Sequence, residues 1–330
     1  MFEIADRCFV NSTISSHCSS CSYGGFCANK TVYYGLTSFQ AVFCSIERIS
    51  ISTIIIIFLV GSLLNFFSIG TFFQANARET GNGIYRLWIS IIGEIGLIVI
   101  VIYMLLEKSN HEIINCYLLE YLRRVLHALY DSLTACTTLE RTVVIYQGVS
   151  FSKLSSCRVA KLIIPILIIY HFVIVGYEPF HRQIDNNLCL LKISNPELIN
   201  YQNAINILHF ILPYLINLIF PMIWIFTLTK SKLALHKNTS IWYNLKKVLT
   251  DYKHTIIANY ILVIFNTPRF ISIFYLTCKQ TTAYNIAYLL SLIPLLINLL
   301  IFVLPSPKYR PELLCFIQCL VKYRYRRDYN

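Results

Sequence analysis

The chain has 330 residues, of which 56% are hydrophobic and only 13% charged; an ordinary soluble domain carries roughly 25% charged residues. Its mean hydropathy is +0.59, and the apolar residues run in long blocks. These values exclude a soluble two-domain enzyme, a disordered tail and a disulfide-rich secreted mini-protein, and they point to an integral membrane protein.

Residues 1–48 precede the first apolar block. They show no basic stretch leading into a short apolar core, so no cleaved signal peptide is evident and the first span would itself act as the insertion signal. Two glycosylation acceptors occur here, Asn11-Ser12-Thr13 and Asn29-Lys30-Thr31. The five cysteines Cys8, Cys18, Cys21, Cys27 and Cys44 suggest a small cap stapled by two disulfides with one thiol left over, in a pairing that spacing does not decide. Cys18 and Cys21 have no second pair at metal spacing, so no metal is expected.

A helix that crosses a bilayer needs about 20 mostly apolar residues. Segments 49–73, 84–106, 160–177, 204–228, 255–277 and 284–304 offer that length. A seventh, 117–142, carries Glu120, Arg123, Arg124, His127 and Asp131, and hydropathy alone would miss it. Blocks such as Ile54 to Val60 lack the alternation of a barrel strand.

Charge decides between six spans and seven. With seven and the N-terminus outside, 18 of the 28 Lys and Arg residues fall on the inner side and 7 on the outer, as the positive-inside rule requires. Dropping the third span would turn the two richest basic segments outward. The sequence therefore predicts an all-α membrane protein: a seven-transmembrane helix bundle with an outer segment 1–48, a membrane domain 49–304 and a cytoplasmic segment 305–330. The net charge of +12 is accounted for by these flanks meeting anionic lipid heads, without a nucleic-acid partner.

In this frame Cys116 opens the third span from the outside and Cys189 lies within loop 178–203. A bridge between them would pin the loop to the top of that helix, and loop closure at such a spacing is worth about 4–5 kcal/mol. After the last span, Leu313, Leu314, Phe316, Ile317, Leu320 and Val321 interleave with basic residues. That is the pattern of a short amphipathic helix in the interface, with Cys315 and Cys319 as candidate acylation sites.

Glu120, Arg123, Arg124, His127 and Asp131 recur at helical spacing and form one stripe on the third helix. An ionisable residue within a span costs about 2.5–3.5 kcal/mol on insertion scales, so the stripe is expected to face the bundle interior. One role is an internal ladder, Glu120 with the two arginines and His127 with Asp131.

Glu140-Arg141-Thr142 ends the third span on the inner side, and Cys116 stands 25 residues before Arg141. With seven spans and an outer N-terminus, these features resemble the rhodopsin-like G-protein-coupled receptors, nearest to divergent invertebrate orphan and peptide-type receptors, over about residues 49–321. Asn65 resembles the family's first-span Asn, and Pro213, Pro268 and Pro305 fall near its helix-kinking prolines. The chain departs from the family in having Gly93-Glu94 where a sodium-binding Asp is usual, no Trp in the fourth span, and Pro305 without its preceding Asn.

The resemblance implies that Arg141 is the coupling switch, with Glu140 its restraint and Thr142 completing the motif. Arg123 stands 18 residues outward of Arg141, about five helical turns, which in that family is the level of the ligand pocket. The positive sign there argues against a biogenic amine. Arg123, Arg124, His127 and Arg269 are then candidates to hold the acidic group of a peptide or small acid. The implied protein is a multi-pass plasma-membrane receptor, not an enzyme and without a cofactor, that passes binding of an extracellular ligand to a heterotrimeric G protein through loops 142–160 and 229–254. The alternative is a multi-span secondary transporter for an anionic solute, but no internal repeat is present and an odd span count suits it poorly. His111-Glu112-Ile113-Ile114-Asn115 lacks the second His of a zinc-protease helix.

Overall fold

The structure, a computed structural model, describes residues 51–107, 112–185, 188–191, 195–235, 240–275 and 281–327. The sequons at Asn11 and Asn29 and the cysteines from Cys8 to Cys44 lie outside the described residues. The long elements are all helices: α1 (Ile51–Phe73), α2 (Gly81–Glu107), α3 (Glu120–Gln147) and α4 (Lys153–Ile174). A short hairpin follows, β1 (Arg182–Asp185) paired antiparallel with β2 (Leu188–Leu191). Then α5 (Pro196–Asn206) continues through a π turn, Ile207–Ile211, into α6 (Leu212–Leu235). The order is completed by α7 (Ile241–Asp251), α8 (Lys253–Tyr275), α9 (Thr281–Leu296) and α10 (Arg310–Arg327).

A helix thus covers each of the seven segments read as candidate spans. Among the described residues, three stretches, Gly81–Tyr103, Lys153–His181 and Pro196–Ala234, are long and apolar enough to cross a membrane. Shorter apolar stretches lie at Phe58–Phe73 and Ile256–Pro268. The helices close a ring: α1 packs on α2, α2 on α4, α4 on α3, α3 on α6, α6 on α8, α8 on α9, and α9 back on α1. α3 also packs along α2, which places it on the inside of the bundle.

The side chains are distributed differently from a bundle in water, which turns one apolar stripe inward and polar residues outward; apolar residues both fill this core and cover its outside. Asn65, Ser68, Thr71, Ser90, Thr134, Asn217 and Asn298 are buried. On α4, Leu162, Ile166, Ile169 and Val173 recur at helical spacing and are all exposed, as are Ile219, Ile223 and Phe226 on α6. This is the arrangement of an all-α membrane protein.

Several buried polar groups are paired between helices. The hydroxyls of Ser68 and Ser90 lie 2.7 Å apart, and Thr138 Oγ1 donates to Asn217 Oδ1 at 2.6 Å. α9 contains Pro294, which cannot donate to the Leu290 carbonyl, and the helix loses its geometry at residue 297. The carbonyls beside this break are taken by other helices. Tyr130 of α3 donates to the Pro294 carbonyl at 2.8 Å and lies 3.0 Å from Asn298 Oδ1, and Asn65 of α1 donates to the Leu295 carbonyl at 3.1 Å.

One of the expected kinks moves. Pro305 lies outside the last helix, in the turn between the π turn Leu299–Val303 and α10, so Pro294 is the proline that interrupts it. Pro213 lies within the continuous helix formed by α5, the π turn and α6, two residues beyond that turn, and Pro221 lies further along α6. Pro268 is inside α8, where Thr267 meets the Tyr214 hydroxyl of α6 at 3.1 Å.

α10 supplies the helix expected after the last span and folds back along α1. The Phe316 ring packs 5.7 Å from Phe66 and 6.4 Å from Phe67, and Tyr309 packs 4.9 Å from Phe72. Cys315 and Cys319 are exposed, and the charge that Cys319 would carry pushes the Cys315 thiol up. In the connection before α2, the Lys153 ammonium donates to Glu79 at 3.1 Å and holds its carboxyl below the usual range.

The start of α2 is tightly built: a Cβ on Gly83 would fall 1.8 Å from the Ala77 carbonyl oxygen, whereas one on Gly96 would meet nothing within 4 Å. Gly83→Ala should therefore destabilise by about 1–3 kcal/mol through overpacking, and Gly96→Ala should not. Equal melting temperatures for the two variants in detergent would contradict this packing.

Candidate functional site

Two polar clusters lie at opposite ends of α3. The one at the C-terminal end of α3, expected from the sequence to lie on the inner side and termed the inner cluster, gathers where Asn82 and Arg86 on α2, the end of α3 and the segment before α10 converge. Asn82 and Arg86 are buried, as is Tyr309. The Asn82 amide faces donors on several sides, so its oxygen is assigned toward them. It accepts from Arg141 Nη2 at 2.8 Å, Arg86 Nε at 3.2 Å and the Tyr309 hydroxyl at 2.9 Å. The Arg86 guanidinium also stacks 3.6 Å from the Phe302 ring centroid, a cation–π contact.

The expected restraint on Arg141 is built differently. Glu140 accepts a hydrogen bond from Ser156 Oγ of α4, and Ser156 in turn accepts from the Gly81 backbone N–H at 2.9 Å. Arg141 is thus bonded to Asn82 rather than to Glu140. Thr142 turns back on its own helix and donates to the Thr138 carbonyl at 2.9 Å. Glu140 Oε2, Arg141 Nε and Arg86 Nη1 are buried and make no hydrogen bond. Unsatisfied buried polar atoms are costly, so this end of the bundle is held below its full bonding capacity.

The outer cluster also holds buried atoms without a hydrogen bond, Asn115 Oδ1, His171 Nδ1 and His209 Nε2 among them, but it is braced covalently. A disulfide joins Cys116, on the π turn Asn115–Leu119, to Cys189 of β2. The ladder along α3 forms: Glu120 accepts from Arg123 Nε at 3.1 Å and Nη2 at 2.9 Å, and His127 Nε2 lies 3.6 Å from Asp131 Oδ2. Arg124 reaches away from it. One nitrogen pairs with Glu178 and another donates to Asn206 Oδ1 at 2.6 Å, at the end of α5. Glu178 is wholly buried and also takes Arg182 Nη2 at 2.9 Å. Its carboxylate therefore ties α3 to the hairpin that the disulfide also holds. Below it, the rings of His171 and His209 stack at 4.6 Å, with His171 Nε2 2.9 Å from Ser132 Oγ.

Arg123, Arg124 and His127 are thus brought together, and each faces a carboxylate of the protein. Arg269 is carried on α8 one residue after Pro268, and its side chain lies outside the described residues. The sequence reading missed Asn82, Arg86, Ser156 and Tyr309 at the inner end and Glu178 and Arg182 at the outer. A signal existed for two pairs, because Asn82 with Arg86 and Glu178 with Arg182 have the four-residue spacing of helical neighbours. Among the described residues no group of three His, Cys, Asp or Glu side chains could hold a metal ion. No family model matches the chain, and no curated protein matches it.

Removing the Glu178 charge leaves Arg124 and Arg182 without their shared carboxylate, and breaking a buried pair costs about 3–5 kcal/mol. Glu178→Gln is therefore expected to lower the melting temperature of the detergent-solubilised protein far more than Glu197→Gln, which alters an exposed residue of α5. Equal melting temperatures for the two would show that Glu178 does not tie α3 to the hairpin.

Proposed function

We propose that this chain is a seven-span receptor of the rhodopsin-like G-protein-coupled kind. Its N-terminus lies outside the plasma membrane, and it converts binding of an extracellular ligand into activation of a cytoplasmic heterotrimeric G protein. The observation that carries this reading is Arg141, held by Asn82 at the inner end of α3 while its neighbour Glu140 is held separately by Ser156. The ring of seven helices and the disulfide over its outer mouth support it.

The mechanism follows from the contrast between the two ends. A switch needs two arrangements of similar free energy, and a ligand favours one only through contacts that differ between them. At the outer end the ligand meets α3, α6, α8 and α9 beside the charge network. Because Glu120 and Glu178 already match Arg123 and Arg124, the ligand need not be acidic. An acidic ligand would act by displacing one of these glutamates, which would loosen α3 from the hairpin. Movement of α3 against α2 then releases Arg141 from Asn82, and the inner ends of α6 and α8 open to the G protein. The transporter reading has less support, since it requires a site whose charge the protein leaves for the solute.

Basal nucleotide exchange tests this without knowledge of the ligand. In membranes holding the chain and added heterotrimeric G proteins, Asn82→Ala should raise basal binding of a labelled GTP analogue several-fold, since a hydrogen bond to a charged group is worth about 1.5–3 kcal/mol. Adding Arg141→Ala to that variant should return exchange to the level of empty membranes. If both variants reach the surface and neither changes exchange with any G-protein class, the receptor reading fails.

A further inference from the structure

α7 lies in the connection between α6 and α8, outside the ring of seven. Its start is capped by Ser240, whose hydroxyl accepts from the Tyr243 N–H at 3.2 Å. One face is committed to the bundle: Val248 is fully buried and packs with Leu245 against Trp224 and Ile225 of α6 and Ile256 of α8. Tyr252, just after the helix, meets the Trp224 ring edge-on at 5.8 Å.

The first turn and the outward face of α7 are open and have an uncommon composition. Ile241, Trp242 and Tyr243 are 60%, 78% and 58% exposed. Lys246 and Lys247, one turn on from Trp242 and Tyr243, are exposed as well. From Lys230 to Lys253 the chain carries six lysines and a single acidic residue, Asp251. Large aromatic side chains left open to water cost free energy, whereas tryptophan and tyrosine beside lysine suit the boundary between lipid and water. The inner leaflet is the anionic one, and it attracts basic segments held at its surface.

We propose that α7 is an interfacial anchor lying on the anionic inner leaflet. Ile241, Trp242 and Tyr243 enter the headgroup layer, and Lys246 and Lys247 pair with lipid phosphates and carboxylates. By packing on both α6 and α8, the anchored helix ties their inner ends to the membrane surface. The assignment to the inner leaflet rests on the topology of the receptor reading, which places residues 229–254 inside. Lipid, rather than a protein surface, is the occupant that six lysines against one acidic residue favour, since charge complementarity extends along the whole connection.

Trp242 is itself the probe. The full chain is placed in nanodiscs of phosphatidylcholine and phosphatidylserine, with one lipid or the other brominated at the same mole fraction. The Trp242 signal is the difference between the natural chain and Trp242→Phe, because Trp88 and Trp224 supply the rest of the emission. Brominated phosphatidylserine should quench Trp242 about twofold or more strongly than brominated phosphatidylcholine, and Lys246→Gln with Lys247→Gln should remove the difference. Absence of quenching by both lipids overturns the anchor. So does equal quenching that the lysine variants leave unchanged, or shielding of Trp242 that occurs only when G protein is added. Nucleotide exchange plays no part in the quench, so failure of the receptor reading is detected separately by the Arg141 variant.

Discussion

In the middle of the bundle polar groups are cut off from water, so they bond back to their own helix or across to a neighbouring one. In hydrocarbon an unsatisfied carbonyl or amide costs several kcal/mol, and that cost gives the helices their register. Pro294 removes a donor from α9 and the helix breaks three residues later. The carbonyls beside the break are then claimed by Tyr130 from α3 and Asn65 from α1. Thr138 and Asn217 join α3 to α6 in the same way, and Ser68 and Ser90 join α1 to α2. Single interhelical bonds of this kind contribute only about 0.6 kcal/mol on average in membranes, so orientation comes from the set rather than from any one. The apolar stripes of α4 and α6 are left to face outward.

The two ends of α3 answer this constraint unequally. Outside, a covalent bridge and the Glu178 carboxylate hold the hairpin against α3, with an arginine on either side of the carboxylate. Inside, two arginines share one neutral amide, and the nearby carboxylate bonds to a serine. A covalently bridged outer end and an inner end held by hydrogen bonds to one amide suit a bundle that rearranges on one side of the membrane while keeping its frame on the other. α10 and α7 border the inner side, one folded along α1 and the other across α6 and α8.

Much of this arrangement can be read from the residues before the fold is known. Length and hydropathy locate the apolar segments, and the excess of inner lysines and arginines argues for including the charged third segment as a helix. The ladder from Glu120 to Arg123 follows from helical spacing alone, as does the pairing of His127 with Asp131. The partners that come from distant segments are not legible in this way. Nothing in one sequence says that Glu178 will meet Arg124, 54 residues earlier, or that Tyr309 will reach Asn82. Arg86 and Arg182 read as charges that set topology, although both are buried and bonded. Pro305 attracts attention by its place in a family pattern, yet Pro294 is the proline that lies within α9.

The account stands on seven helices crossing a membrane with the first end outside and the last inside. The most direct test is topological: express the chain with a C-terminal tag, compare glycosidase shifts of the natural chain and Asn11→Gln/Asn29→Gln, and stain the tag on intact and on permeabilised cells. The account requires glycan on the N-terminal segment and a tag that stains only after permeabilisation. A tag that stains on intact cells would mean an even number of spans or an inverted chain. Either would contradict the inner placement of Arg141 on which the function depends.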